Sequence, residues 1–179
     1  MAFDVKAELW RQMEGDRNLT LRVARAFPAA RLLDYAPAAP LRPFAAMLDE
    51  IARIELANCI TQACRHPWLR RGLAENTWRW NLQEPAPATD AAAAIATIED
   101  TRAYTRRVWP AIDGEVLVGS RDDPFFGQGP ARPCDWLVQA LENEIHHRGQ
   151  ALVYLRELGV EPPRSGSAFD GAAGHGVCW

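Results

Sequence analysis

Between Leu141 and Gln150 the chain reads Leu-Glu-Asn-Glu-Ile-His-His-Arg-Gly-Gln, in the middle of its strongest helical signal. At 3.6 residues per turn Asn143, His147 and Gln150 share one face, with Glu144 beside them. Polar groups therefore gather where an amphipathic helix would bury apolar ones, and chemistry is expected there. Glu144-Ile-His-His147 also has the Glu-x-x-His spacing of di-iron bundle sites, which need a second such motif and two further inward carboxylates. The helical segment before it offers Glu99 and no His, which argues against that centre. Cys134 falls in the first turn of the same helix, where the helix dipole could lower a thiol pKa. No local motif supports a nucleophile, and an inert buried thiol is the simpler reading.

The elements that must position these groups read as four long helices. Apolar residues at Leu9, Met13, Leu19, Val23 and Ala26 predict helix one from Asp4 to about Phe27, with a kink allowed at Gly15. Residues 34–43 carry three prolines and form a stiff connector. Helix two is expected from Pro43 to Cys64, its stripe running from Phe44 through Met47, Leu48 and Ile51 to Asn58, with Glu50 and Glu55 near the edges of that stripe. From His66 to Pro87 the pattern fails; Trp68, Trp78 and Trp80 among arginines suggest a cap over a helical core. Helix three begins at Thr89 or Asp90 and ends at Val108 before Pro110. Residues 111–131, with Gly114-Glu-Val-Leu-Val-Gly119, are read as a short extended pair or a lid. Helix four runs from Pro133 to Leu158, stopped by Gly159 and Pro162. The expected fold is all-α: an up-down-type four-helix bundle with Pro-rich connectors and a short irregular or extended segment between helices three and four. Residues 1–163 make the domain, and residues 164–179 a flexible or docked tail ending in a segment with His175 and Cys178.

Composition narrows the function classes. The net charge of −3 gives no basic field for nucleic acid, and none is expected as a partner. Lys6 is the single lysine among 20 basic residues, a compositional habit more than a functional sign. No apolar run reaches the roughly 20 residues that span a bilayer, and the N-terminus lacks a signal-peptide pattern, so a cytoplasmic protein away from membranes is expected. The four cysteines form no C-x-x-C pair and read as free thiols, most of them buried.

The stretch Asn143-Glu-Ile-His-His-Arg-Gly-Gln150, followed by Leu155-Arg-Glu-Leu-Gly-Val-Glu-Pro-Pro163, resembles the last helix of the DinB/YfiT-like superfamily. Arg42-Pro-Phe-Ala-Ala-Met-Leu-Asp-Glu-Ile-Ala-Arg-Ile-Glu55 resembles its second, and the likeness spans about residues 3–163. The resemblance implies a bundle holding a divalent metal, nickel or zinc, on one His from helix two and two His a turn apart on the last helix. It also implies a homodimer, and for some members thiol-dependent transferase or isomerase activity. Carried over by position, the metal ligands fall on Glu50, Asn143 and His147, of which only the last is His.

Zinc and nickel favour imidazole, carboxylate and thiolate, and a carboxamide oxygen is a weaker donor. Glu50 could stand in for the missing His, His146 could rotate in, and His175 or Cys178 could arrive from the tail. A different arrangement needs no ion: Glu50, Asn143, His147 and Gln150 close a buried hydrogen-bond network in which the carboxylate fixes the imidazole. Arg148 is expected to pair with a carboxylate at the bundle surface. The functional expectation is a metal-dependent hydrolase or thiol transferase acting on a small molecule. In it the metal lowers the pKa of a water or thiol and His146 or Glu144 handles the proton. The alternative is a non-catalytic bundle that binds a small molecule or protein partner after losing the metal.

Overall fold

The computed structural model describes residues 4–60, 88–122 and 129–164. Helix α1 spans Val5–Ala26, and Asp4 caps it by accepting the Ala7 amide at 3.0 Å. It passes through Gly15 without a break, because Gly15 is buried and tertiary packing supplies what its poor propensity withholds. A short helix, α2 (Ala29–Asp34), buries Leu32 before the proline connector. Helix α3 covers Phe44–Ile54 and continues as a π-helical turn from Glu55 to Ile60. Such turns insert an extra residue per turn and turn the following side chains to new directions. Residues 61–64 of the expected helix two, the Trp68, Trp78 and Trp80 cap, and the tail with His175 and Cys178 all lie outside the described residues.

Asp90 caps α4 (Ala91–Val108) through the Ala93 amide at 2.8 Å. A single 3-10 turn at Trp109–Ala111 follows. Within residues 111–131, expected as a short extended pair or a lid, Gly114–Val118 forms a five-residue helix, α5, which Asp113 caps through the Glu115 amide and which buries Leu117. The extended pair lies just beyond, where β1 (Arg121–Asp122) pairs antiparallel with β2 (Pro130–Ala131). Helix α6 covers Pro133–Glu157. Gly159, at φ +74, closes it: the Val160 amide reaches back to the Leu155 carbonyl at 2.9 Å, and the Gly159 amide donates to the Arg156 carbonyl at 3.0 Å. Among the described residues no helix is long and apolar enough to cross a membrane.

Cross-helix bonds fix the directions of the long helices. Arg17 meets Glu144 and Thr20 meets Arg148, so α1 and α6 run the same way. Glu14 meets Arg106 while Arg25 meets Glu99, so α4 runs opposite to α1. Glu55 meets Arg102, and Phe44 to Ile51 share a core with Ala94 and Ile98, so α3 and α4 are parallel. Parallel neighbours cannot be joined by a tight turn, which is why a long connection separates them in the sequence.

The apolar core falls into two clusters. One gathers Leu9, Met13, Trp109, Leu117, Leu137 and Leu141, and the other Leu19, Val23, Phe44, Leu48, Ile98 and Leu155. A polar layer lies between them, on the middle turns of all four long helices. Lys6 ties the outer cluster down, donating to the carbonyl oxygens of Pro110, at 3.3 Å, and Ile112. Lys6→Met removes these charge-assisted bonds from a partly buried site and should cost about 1 kcal/mol, read as a lower urea midpoint.

Candidate metal and polar centre

The polar layer holds two distinct arrangements. The first joins α3 to α6 around His147, which is 5% exposed. His147 Nε2 lies 3.1 Å from Glu50 Oε1, and Asn143 Nδ2 lies 3.3 Å from each of these atoms. On the other side of the ring His147 Nδ1 meets Gln150 Oε1 at 3.1 Å. Arg42 donates to Glu50 Oε2 at 2.5 Å. Partial burial raises the Glu50 pKa, but the hydrogen bonds from Arg42 and His147 outweigh it and bring the carboxyl down to about 2.

Glu50, Asn143 and His147, on two different helices, are thus brought together, with Gln150 as the residue that sets the ring. If Nδ1 carries the proton that Gln150 accepts, the lone pair of Nε2 faces the Glu50 oxygen across 3.1 Å. Two lone pairs so placed need a hydrogen or a cation between or beside them, supplied by a second proton on the ring, by the Asn143 amide or by a bound ion. The Asn143 Oδ1 atom is buried and has no hydrogen-bond partner among the described residues. Turning that amide over would bring its oxygen to the cluster in place of the nitrogen.

The divalent metal implied by the sequence resemblance fits these residues with a minimal donor set. Donor atoms about 2.0–2.1 Å from a tetrahedral zinc lie roughly 3.3 Å apart, close to the spacing of this cluster. His147 Nε2, Glu50 Oε1 and Asn143 Oδ1 would hold the ion, and the orphaned amide oxygen would gain a partner. Gln150 would orient the imidazole, as outer-shell partners of metal-binding histidines do. Among the described residues no group of three His, Cys, Asp or Glu side chains is placed for a metal, so the amide is needed as third donor.

The proton-handling expectations meet different surroundings. His146 is exposed, its ring edge-on to His147 with centroids 5.2 Å apart. Glu144 belongs to the second arrangement: it is 2% exposed, and both of its oxygens accept from Arg17, at 3.0 and 3.1 Å. A carboxylate so held by a guanidinium is a poor proton acceptor, and Glu144 is therefore assigned to the core and not to chemistry at His147.

That second arrangement had no counterpart among the sequence expectations. Arg17 also donates to Glu55 Oε2 at 2.6 Å and to the Ile98 carbonyl at 2.7 Å. Arg102 forks onto Glu55 with both bonds at 3.1 Å, and Thr105 donates to Glu55 Oε1 at 2.5 Å. Two arginines and two glutamates, all nearly inaccessible, balance one another between the two apolar clusters. A cavity of about 130 Å³ lined by Glu14, Asn18 and Arg106 opens onto Arg17 and Arg102. Alongside, Arg148 donates to Asp16 Oδ1 at 2.7 Å, as a carboxylate partner was expected to allow, although this arginine is buried.

Burial raises the pKa values of Glu55 and Glu144, but Arg102 and Arg17 dominate, leaving Glu55 at about 2 and Glu144 below its ordinary value. In the unfolded chain both titrate near the ordinary 4.5 and so bind protons first as the pH falls. Their contribution to stability is present above about pH 4.5 and is lost progressively toward pH 2. Urea midpoints followed by circular dichroism should fall across that window, and Glu55→Gln, with its titration removed, should show a shallower decline.

The sequence profile of the DinB family matches residues 1–170. A search among curated proteins finds no match. Among solved structures the chain is similar to a DinB-like protein, YjoA, from Bacillus subtilis, with a TM-score of 0.59 and 22% identity over 88% of this chain and 96% of that one. At that identity the likeness speaks for the fold alone, whereas the profile spans nearly the whole sequence. The chain belongs to the DinB family.

Proposed function

We propose that this protein is a metal-dependent enzyme acting on a small molecule, a hydrolase or thiol-dependent transferase, with nickel or zinc held by Glu50, Asn143 and His147. The observation that carries this reading is the convergence of an imidazole, a carboxylate and an amide within 3.1–3.3 Å of one another. Three protein donors leave room for a water or substrate, the pattern of a catalytic centre more than a structural one. A bound ion of this kind supplies Lewis-acid activation of a water or thiol. The chain's own residues do the rest. Gln150 sets the ring, Arg42 keeps Glu50 ionised, and His146, exposed beside His147, is the group to take up the proton. The four long helices act together as one bundle in which α3 and α4 run parallel, with residues 1–163 as the domain and the remainder as a tail, in a cytoplasmic homodimer. Support for self-association comes from Val138, Ile145 and Val153, which lie 41%, 46% and 51% exposed along one outer stripe of α6.

Calorimetric titration of metal-stripped protein with zinc and with nickel tests the metal reading. One ion per chain is expected for the parent, with affinity lost in His147→Ala. An absence of binding by the folded parent at millimolar metal would overturn it.

A second reading is favoured by the direction of the bonds at Glu50. The Asn143 amide and Arg42 both donate to that carboxylate, so a proton on His147 Nε2 closes the network without an ion. The protein would then be a non-catalytic bundle that binds a small molecule or a protein partner. His147→Ala would lower its stability and leave metal content unchanged.

A further inference from the structure

Tyr154 lies seven residues after His147, so Asn143, His147, Gln150 and Tyr154 follow one another down a single face of α6. The residue is 2% exposed, and among the described residues its buried hydroxyl has no hydrogen-bond partner. Buried phenols ordinarily find one, because a hydroxyl stripped of water and given nothing in return destabilises the fold. Its ring is held edge-on against Tyr35, centroids 6.0 Å apart, and the Tyr35 hydroxyl is itself committed to Glu157 Oε2 at 3.0 Å. Arg42 runs along α3 to reach Glu50 with Nη2 and is 47% exposed, which among the described residues leaves Nε and Nη1 for a further acceptor. Burial and the Glu157 charge raise the Tyr154 pKa, and Arg42 is near enough to oppose them.

We propose that Tyr154 and Arg42 form a subsite for the carboxylate group of a small-molecule ligand, adjoining the Glu50–His147 cluster. The phenol donates one hydrogen bond and the guanidinium edge supplies the others, a planar fork that matches a carboxylate. A monoanion suits the site: Arg42 already shares its charge with Glu50, and a dianionic phosphate would face Glu50 and Glu157 with too little compensation. This inference rests on the reading that this face of α6 binds a small molecule, and it needs no bound metal.

The test uses the metal-stripped full chain with its three tyrosines labelled with carbon-13 at Cζ, the Tyr154 resonance being assigned from Tyr154→Phe. Sodium acetate is titrated in at constant ionic strength against sodium chloride. The Tyr154 resonance should move saturably with acetate and stay still in chloride, and Arg42→Gln should weaken the apparent affinity about tenfold. If Arg42→Gln does not fold, Arg42→Lys takes its place and should weaken binding to a smaller degree by losing the fork. A resonance that does not move, or one that moves equally in the Arg42 variant, overturns the proposal. Because no metal is present, an acetate response stands even where the metal titrations are blank, and its absence leaves the metal reading intact.

Discussion

Arg17→Met should destabilise the fold by about 3–5 kcal/mol, the cost of leaving buried carboxylates without their counter-charge. Arg17 is 2% exposed and makes four hydrogen bonds: two to Glu144, one to Glu55 and one to the Ile98 carbonyl. With the guanidinium gone, the nearest remaining cation to Glu144 is Arg102 at 3.8 Å, already forked onto Glu55. The apolar clusters cover the layer on two sides, and neutral water entering from the cavity beside Arg17 and Arg102 supplies no counter-charge. The double variant Arg17→Met with Glu144→Leu removes both charges and should recover at least half of the loss, since well-packed apolar groups often replace a buried ion pair without penalty. Arg25→Ala serves as the control. Its pair with Glu99 is 55% and 41% exposed, and its loss should cost less than about 1 kcal/mol. Urea denaturation of the four proteins at pH 7 checks the set. A single-variant cost no larger than that of the control would mean that water reaches the layer.

Asn143→His should tighten zinc and nickel binding by at least the roughly 10–100-fold that outer-shell partners of metal sites command. The argument is one of donor chemistry. The carboxamide is neutral and weak, and in its present orientation it points an N–H donor toward Glu50 Oε1. An imidazole at 143 stands one turn from His147 on the same helix face, where the two rings can share an ion with Glu50. Calorimetry of the metal-stripped variant against the parent measures the change. Equal affinities would mean that residue 143 does not face the ion. Increased stability without any metal response would favour the hydrogen-bonded network.

Much of the architecture was legible in the sequence for simple reasons. Asp4 and Asp90 cap helices where the apolar period begins, and Gly159 ends α6 where the period stops. Convergence of Glu50 with Asn143 and His147 is a product of register, which the likeness to a known family carried. The buried arginines were missed because arginine on a helix is ordinarily a surface residue. A signal was nevertheless present. Arg17 falls four residues after Met13 and three before Thr20, and Arg102 falls four after Ile98 and three before Thr105, each in the apolar register of its helix. Glu55, in the π-helical turn that continues α3, and Glu144, on α6, occupy the matching positions, so the four charges balance only when the helices are considered together. Assigning Glu144 to proton transfer at His147 followed from its nearness in sequence, and the partner that decides its role, Arg17, lies 127 positions away. The helix at Gly114–Val118 was hidden because a short run of Val and Leu between glycines fits a strand as well as a helix, and the Asp113 cap that starts it is only one residue.

The metal content of untagged protein, measured by elemental mass spectrometry beside His147→Ala, tests the central claim most directly. The account predicts close to one nickel or zinc per chain in the parent after exposure to both metals, and none in the variant. A parent that folds, stays metal-free after that exposure and responds to His147→Ala only in its stability would contradict it, and would identify the cluster as a hydrogen-bonded network closed by a proton.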